Sequence, residues 1–213
     1  LDERIIDQMC LRVLRKKLTW AMLTDTKPSK QIINSKTHKQ LALRSALESI
    51  VLLKNEKALP LTAASEILVV GNLLDEKNIG DNGSSRVSPK KISTLKAAIK
   101  KQFPAARFLA SNDPTLISQE AAQAKYVIVI AGFLPEQEGE NLTSNRKYQP
   151  NAAEPVNKGG DRKDLHLPAD QQALLTAATL ANRNTIAVII SGSACYLDPW
   201  LADLRAVVWA GYY

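Results

Sequence analysis

Two stretches of this chain, Tyr126-Val-Ile-Val-Ile-Ala-Gly132 and Thr185-Ile-Ala-Val-Ile-Ile190, are apolar at nearly every position rather than at every second one. A strand with one wet face alternates apolar and polar residues, so unbroken apolarity over a strand's length marks a strand covered on both faces. Three more short apolar runs, Ile67-Leu-Val-Val70, Arg107-Phe-Leu109 and Arg205-Ala-Val-Val-Trp209, punctuate the same half of the chain. Segments that read as helices lie at 93–102, 115–124, 169–182 and 198–204. Strands alternating with helices predict an α/β fold: a mostly parallel sheet with helices on both faces, an α/β sandwich.

The first 60 residues read differently. Ile5, Ile6, Met9, Cys10, Val13, Leu14 and Leu18 recur at three- and four-residue steps, which predicts an amphipathic helix from residue 3 to about 22. Residues 24–35 read as a loop. Thr37-His-Lys-Gln40 has the spacing of a capping box and predicts a helix over 38–48, followed by a strand-like Ser49-Ile-Val-Leu-Leu53 and a turn over 55–60. The expected organisation is a helical linker arm over 1–60 and a sandwich domain over 61–213.

Composition narrows the function classes. The formal charge of +7 invites a nucleic-acid reading until it is mapped: residues 1–60 hold 12 Lys/Arg against 6 Asp/Glu, and the rest holds 16 against 15. The excess is a solvated helix face on the arm, and the few aromatics are not interleaved with it, which argues against a nucleic-acid partner. Cys10 and Cys195 stand in mostly apolar segments and read as two buried thiols; His38 and His166 lack ligand-spaced companions, so no metal is expected. No apolar run reaches the length of a membrane-crossing helix, so no membrane partner is expected either. Nothing has the pattern of a signal peptide, while Leu1 and the stop at Tyr213, straight after an apolar run, both read as cut ends.

Chemistry is sought where strands end, because ligands of open α/β sheets bind beyond the strands' carboxyl ends. After the first strand, Gly71, Gly80 and Gly83 are too far apart for a pyrophosphate-binding GxGxxG; Asp81, Asn82 and Arg86 could contact a polyol, and turn chemistry explains them equally well. Ser191-Gly-Ser193 lacks the GxSxG frame and a placed histidine, so it reads as a cap or tight turn rather than a nucleophile elbow. The run 126–132 opens instead into Glu136-Gln-Glu138-Gly-Glu140 and closes on Gly159-Gly-Asp-Arg-Lys-Asp-Leu-His-Leu-Pro168. Carboxyl groups on such a loop are either solvated acids or a general acid working opposite a second carboxylate.

The ordered set Ser49–Glu56, Leu59-Pro-Leu61, Val70-Gly71, Ile79-Gly-Asp-Asn-Gly-Ser-Ser-Arg-Val87, the Gly-Gly-Asp-Arg element, Gln171-Gln172 and Pro199-Trp200 resembles glycoside hydrolase family 3, the β-glucosidase and β-xylosidase family, from about Arg12 onward. The resemblance implies a retaining exo-β-glycosidase that hydrolyses terminal non-reducing β-linked sugars without metal or organic cofactor. Its substrate would be an oligosaccharide or β-glycoside. The family's preceding barrel domain supplies an aspartate nucleophile whose motif is absent here, so this chain would be inactive alone; homo-oligomerisation is left open. Glu140, which follows Gly139, matches the family's acid/base position, with Glu138 the rival, while Asp161 and Arg162 match a loop-anchoring or substrate-binding pair. The competing readings are a non-catalytic carbohydrate-binding or interaction module and, more remotely, a basic nucleic-acid-binding domain.

Overall fold

The computed structural model describes residues 2–20, 29–62, 65–77, 79, 87, 89, 91–138, 162 and 164–212. The chain divides into two units, Leu1–Ser45 and Ala46–Tyr213.

In the first unit, helix α1 spans Glu3–Thr19 and is capped by Asp2, whose carboxylate accepts from the Arg4 N–H at 3.0 Å. Lys16 and Lys17 in its last turn complement the helix dipole. None of its residues is buried, and Ile5, Ile6, Met9, Val13, Leu14 and Leu18 form an exposed apolar stripe. Cys10 is therefore exposed rather than buried, and Cys195 is half-buried; both are free. Helix α2, Lys36–Ser49, starts two residues earlier than the capping-box spacing suggests. Ser35 is the residue whose hydroxyl accepts from the His38 N–H, at 3.3 Å, which leaves Thr37 inside the first turn.

The second unit is a six-stranded sheet in the order β1-β6-β5-β4-β2-β3. Its strands are β1 (Val51–Asn55), β2 (Ile67–Val70), β3 (Arg107–Leu109), β4 (Tyr126–Gly132), β5 (Thr185–Ile190) and β6 (Ala206–Ala210). All neighbours run parallel except β1, which lies antiparallel on β6 with a register shift between Leu52 and Lys54. The sheet thus begins at Val51, and its β1 edge keeps Val51, Leu52 and Leu53 exposed.

Unbroken apolarity in β4 and β5 has the expected cause. Val127, Val129, Ala131, Ala187 and Ile189 face one layer, with Ile117 and Ala121 of α4 (Pro114–Ala122), Leu174, Leu175 and Ala178 of α6 (Ala169–Ala181), and Trp200 of α7 (Asp198–Leu201). Ile128, Ile130 and Ile190 face the opposite layer, where Leu73 and Leu74 of a 3-10 turn meet Leu95, Ile99 and Phe103 on and beside α3 (Leu95–Gln102). Each fully buried Leu or Ile in these layers stabilises the fold by roughly 1.5–3 kcal/mol.

Polar ties finish the helices. Asp113, with Pro114 at the first helical position, caps α4 by accepting from the Thr115 N–H at 2.9 Å. Asn182 ends α6 and donates to the carbonyls of Ala121 (2.8 Å) and Ala124 (2.6 Å), fastening the end of α4 to it. The Trp200 indole donates to Thr176 Oγ1 at 2.8 Å, so the Pro199-Trp200 turn is fixed to α6.

Candidate active site

The strand order sets β4, β5 and β6 side by side, so their carboxyl ends form one continuous edge. Gly132 closes β4 with φ of +148°, in a conformation that L side chains rarely adopt; a Cβ there would lie 2.0 Å from the carbonyl oxygen of Ile190. Beyond it, Phe133 donates its N–H to that same carbonyl at 3.0 Å. The chain then enters the single helical turn α5, Pro135–Glu138, in which Leu134 N–H donates to Gln137 Oε1 at 2.7 Å. This turn brings Glu138 back over the end of β5.

Glu138 is boxed in. Its Oε2 accepts from the Gly192 N–H at 2.7 Å and from the Tyr212 hydroxyl, while its Oε1 lies 3.0 Å from Arg162 Nε. Ser191 Oγ lies within reach of both Glu138 Oε1 (3.2 Å) and the Ser193 carbonyl (2.5 Å), with one proton to share between them. The Glu138 side chain is only 6 % exposed and that of Arg162 only 11 %. Arg162 also donates to the Ala194 carbonyl at 2.8 Å and to Ser193 Oγ, and its guanidinium sits 4.4 Å from the centre of the Phe133 ring. A buried ion pair holds only when its remaining hydrogen-bonding capacity is met, and here strand-end backbone, hydroxyls and an aromatic face meet it.

Of the residues singled out from sequence, Glu138 and Arg162 are brought together directly. Glu140 and Asp161 lie outside the described residues, as do Asp81, Asn82 and Arg86. Tyr212, Ser191 and Gly192 were not anticipated as partners of the loop. Ser191 is wholly buried in this cluster and is no exposed nucleophile, in keeping with the tight-turn reading of Ser191-Gly-Ser193.

The environment of Glu138 bears on acid/base chemistry. A general acid must come within hydrogen-bond reach of the oxygen that it protonates. Glu138 has its oxygens turned to an N–H, a phenol and a guanidinium, which hold it at the strand ends. Downstream, His166 donates its backbone N–H to Asp164 Oδ1 at 2.7 Å and places its ring Nδ1 3.1 Å from the same oxygen. Those two contacts, backbone first, hold the Asp164 carboxyl below its usual range. The His166 ring meets Tyr196 edge-to-face at 5.2 Å. Along the other half of the edge, Gln171 donates to Asn72 Oδ1 and to Asp170 Oδ2, both at 3.0 Å. Among the described residues no three His, Cys, Asp or Glu side chains converge as a metal site.

The chain has relatives among known proteins. The model of the glycosyl hydrolase family 3 C-terminal domain matches residues 50–213. An exo-α-(1→6)-L-arabinopyranosidase of Bifidobacterium longum is 30% identical over 188 residues, covering 80% of this chain and 23% of that protein. The thermostable β-glucosidase B of Acetivibrio thermocellus is 26% identical over 98% of this chain and 26% of its own length. The crystal structure of a β-glucosidase from Listeria innocua in complex with glucose superposes with a TM-score of 0.76 at 17% identity, over all of this chain and 28% of that one, and so shares the fold. The chain thus spans about a quarter of the length of these relatives.

Proposed function

Since the chain belongs to glycosyl hydrolase family 3, whose C-terminal domain it carries, we propose that it is the acid/base-bearing part of a retaining exo-β-glycosidase acting on terminal non-reducing β-linked sugars. The observation that carries this reading is the anchoring of Glu138 and Arg162 to each other, at 3.0 Å, on the carboxyl edge of β4, β5 and β6. The segment 139–161 leaves from one of these residues and returns to the other, and Glu140 lies two residues past the anchor.

In the proposed reaction Glu140, as the acid, protonates the glycosidic oxygen while an aspartate of a preceding barrel domain attacks the anomeric carbon. The bond to the leaving oxygen breaks and a glycosyl–enzyme ester forms. The Glu140 carboxylate then takes a proton from water, which attacks the same carbon, releases the aspartate and frees the sugar. With Glu138 occupied as an anchor, the choice between the two glutamates falls on Glu140. Asp161, beside Arg162, is assigned to the return end of the loop.

Residues 1–60 then serve as the end of the barrel and the interdomain linker, of which Val51–Asn55 also adds a strand to the sheet, and 61–213 as the sandwich. The relatives' names differ in the sugar, so the proposal is one of reaction class. Hydrolysis of an aryl β-glycoside by the intact, barrel-bearing protein, followed by proton NMR, should show the β-anomer of the freed sugar first, with the α-anomer arising only by mutarotation. Initial release of the α-anomer would contradict a double displacement.

A further inference from the structure

Resting on that reading, we infer that Glu138, Arg162 and Tyr212 are positioning residues for the acid/base: a three-way clamp that fixes where the loop's catalytic glutamate stands. The clamp joins parts of the chain remote in sequence. Glu138 is the last residue before the 139–161 segment, Arg162 the first after it, and Tyr212 the second residue past β6.

One carboxylate gathers all three. Its Oε1 meets Arg162 at 3.0 Å, and its Oε2 meets both the Tyr212 hydroxyl and the Gly192 N–H, the latter at 2.7 Å. Arg162 is held in turn by the Ala194 carbonyl, Ser193 and the Phe133 ring, which all sit at the ends of β4 and β5. The two ends of a 23-residue segment are thereby fastened to the rigid edge of the sheet and to each other.

Connectivity makes this fastening matter to chemistry. One residue, Gly139, separates Glu138 from Glu140, so chain connectivity alone keeps their Cα atoms within about 7 Å of each other. A shift of the clamp therefore moves the point from which the segment carrying the acid departs. A misplacement of about 1 Å at a reacting group can cost on the order of 100-fold in rate. The chemistry of the clamp is also directional. Glu138 accepts from an N–H and a phenol besides the guanidinium, so reversing the charges of the pair would set a cation against those two donors and would not restore it.

The test uses the intact protein and kcat/KM on two β-glycosides of one sugar, an alkyl glycoside that needs protonation to leave and a dinitrophenyl glycoside that does not. Glu138→Gln should lower kcat/KM on the alkyl glycoside by about tenfold or more while changing it less than about threefold on the dinitrophenyl glycoside. Tyr212→Phe, which keeps the ring and removes only the hydroxyl, should show the same selectivity with a smaller loss, and serves if Glu138→Gln does not fold.

A merely structural role would lower both substrates equally through loss of folded enzyme, and that result, or an unchanged ratio in both variants, would overturn the inference. Glu140→Gln is run in parallel. If it alone shows the selective loss, the clamp inference fails and the acid/base assignment stands. If it too shows none, the assignment on which the clamp rests has failed.

Discussion

Glu140→Gln in the intact protein is expected to lower kcat/KM on disaccharides and alkyl β-glycosides by roughly 100- to 10,000-fold, the range that a positioned general acid contributes. The amide keeps the size of the side chain and has no proton of suitable acidity to give. An alkoxide is too poor a leaving group to depart unprotonated, whereas dinitrophenolate departs without help. The kcat/KM for the dinitrophenyl glycoside should therefore stay within a few-fold of the parent protein. Its kcat should fall together with KM, because the second step still needs a base to activate water and the glycosyl–enzyme accumulates. Stopped-flow release of dinitrophenolate should then show a burst. Equal losses of kcat/KM on both substrates would remove Glu140 from the acid/base role.

Gly132→Ala is the second change with a large expected effect, and it acts through the fold. At φ of +148° the backbone is in a region that is costly for any residue with a Cβ, and the added carbon would lie 2.0 Å from Ile190 O, 2.8 Å from Ile190 C and 2.9 Å from Ile190 N. These are backbone atoms of a central strand, paired on both sides, and cannot swing aside as a side-chain tip would. The cost is about 3 kcal/mol or more, a large share of the about 5–15 kcal/mol that holds a domain together. For a domain of this size that lowers Tm by roughly 6–12 °C. Activity should fall on good and poor leaving groups alike in proportion to the folded enzyme that is lost. Differential scanning calorimetry beside the two-substrate assay checks both parts, and a Tm within about 2 °C of the parent protein would show that the strand ends can part at little cost.

The layers of the sheet were legible because the two-sided burial of β4 and β5 writes itself as unbroken apolarity, and α4 and α6 follow from what must cover them. β1 was legible as a strand, but its antiparallel pairing was not. That direction is decided by β6, more than 150 residues further on, and Val51, Leu52 and Leu53 look the same in either orientation. Cys10 was misjudged for a related reason. An amphipathic period shows that a face is apolar and does not supply the partner that would bury it. At the start of α2, Ser35 and Thr37 offer the same hydroxyl chemistry, and the backbone geometry selected Ser35.

The site divides along the same line. Arg162 was singled out through the Gly-Asp-Arg element, and the structure pairs it with Glu138. Glu138 and Glu140 are alike as residue types, and the groups that hold Glu138, the Gly192 N–H and the Tyr212 hydroxyl, lie past the ends of β5, which adjoins β4, and of β6, one strand further on, an order that the sequence does not print. Tyr212 carried no signal of its own beyond lying two residues past an apolar run. Folding assigns its partner.

Azide sets the two glutamates apart most sharply. It is a nucleophile that needs no general base, and it can take the place vacated by the acid/base carboxylate and attack the glycosyl–enzyme. Glu140→Ala in the intact protein, turning over a dinitrophenyl β-glycoside with added sodium azide, should regain kcat in proportion to azide and yield a glycosyl azide of β configuration. Glu138→Ala should show neither rescue nor azide product. Rescue with β-glycosyl azide from Glu138→Ala, and none from Glu140→Ala, would contradict the assignment of anchor and acid.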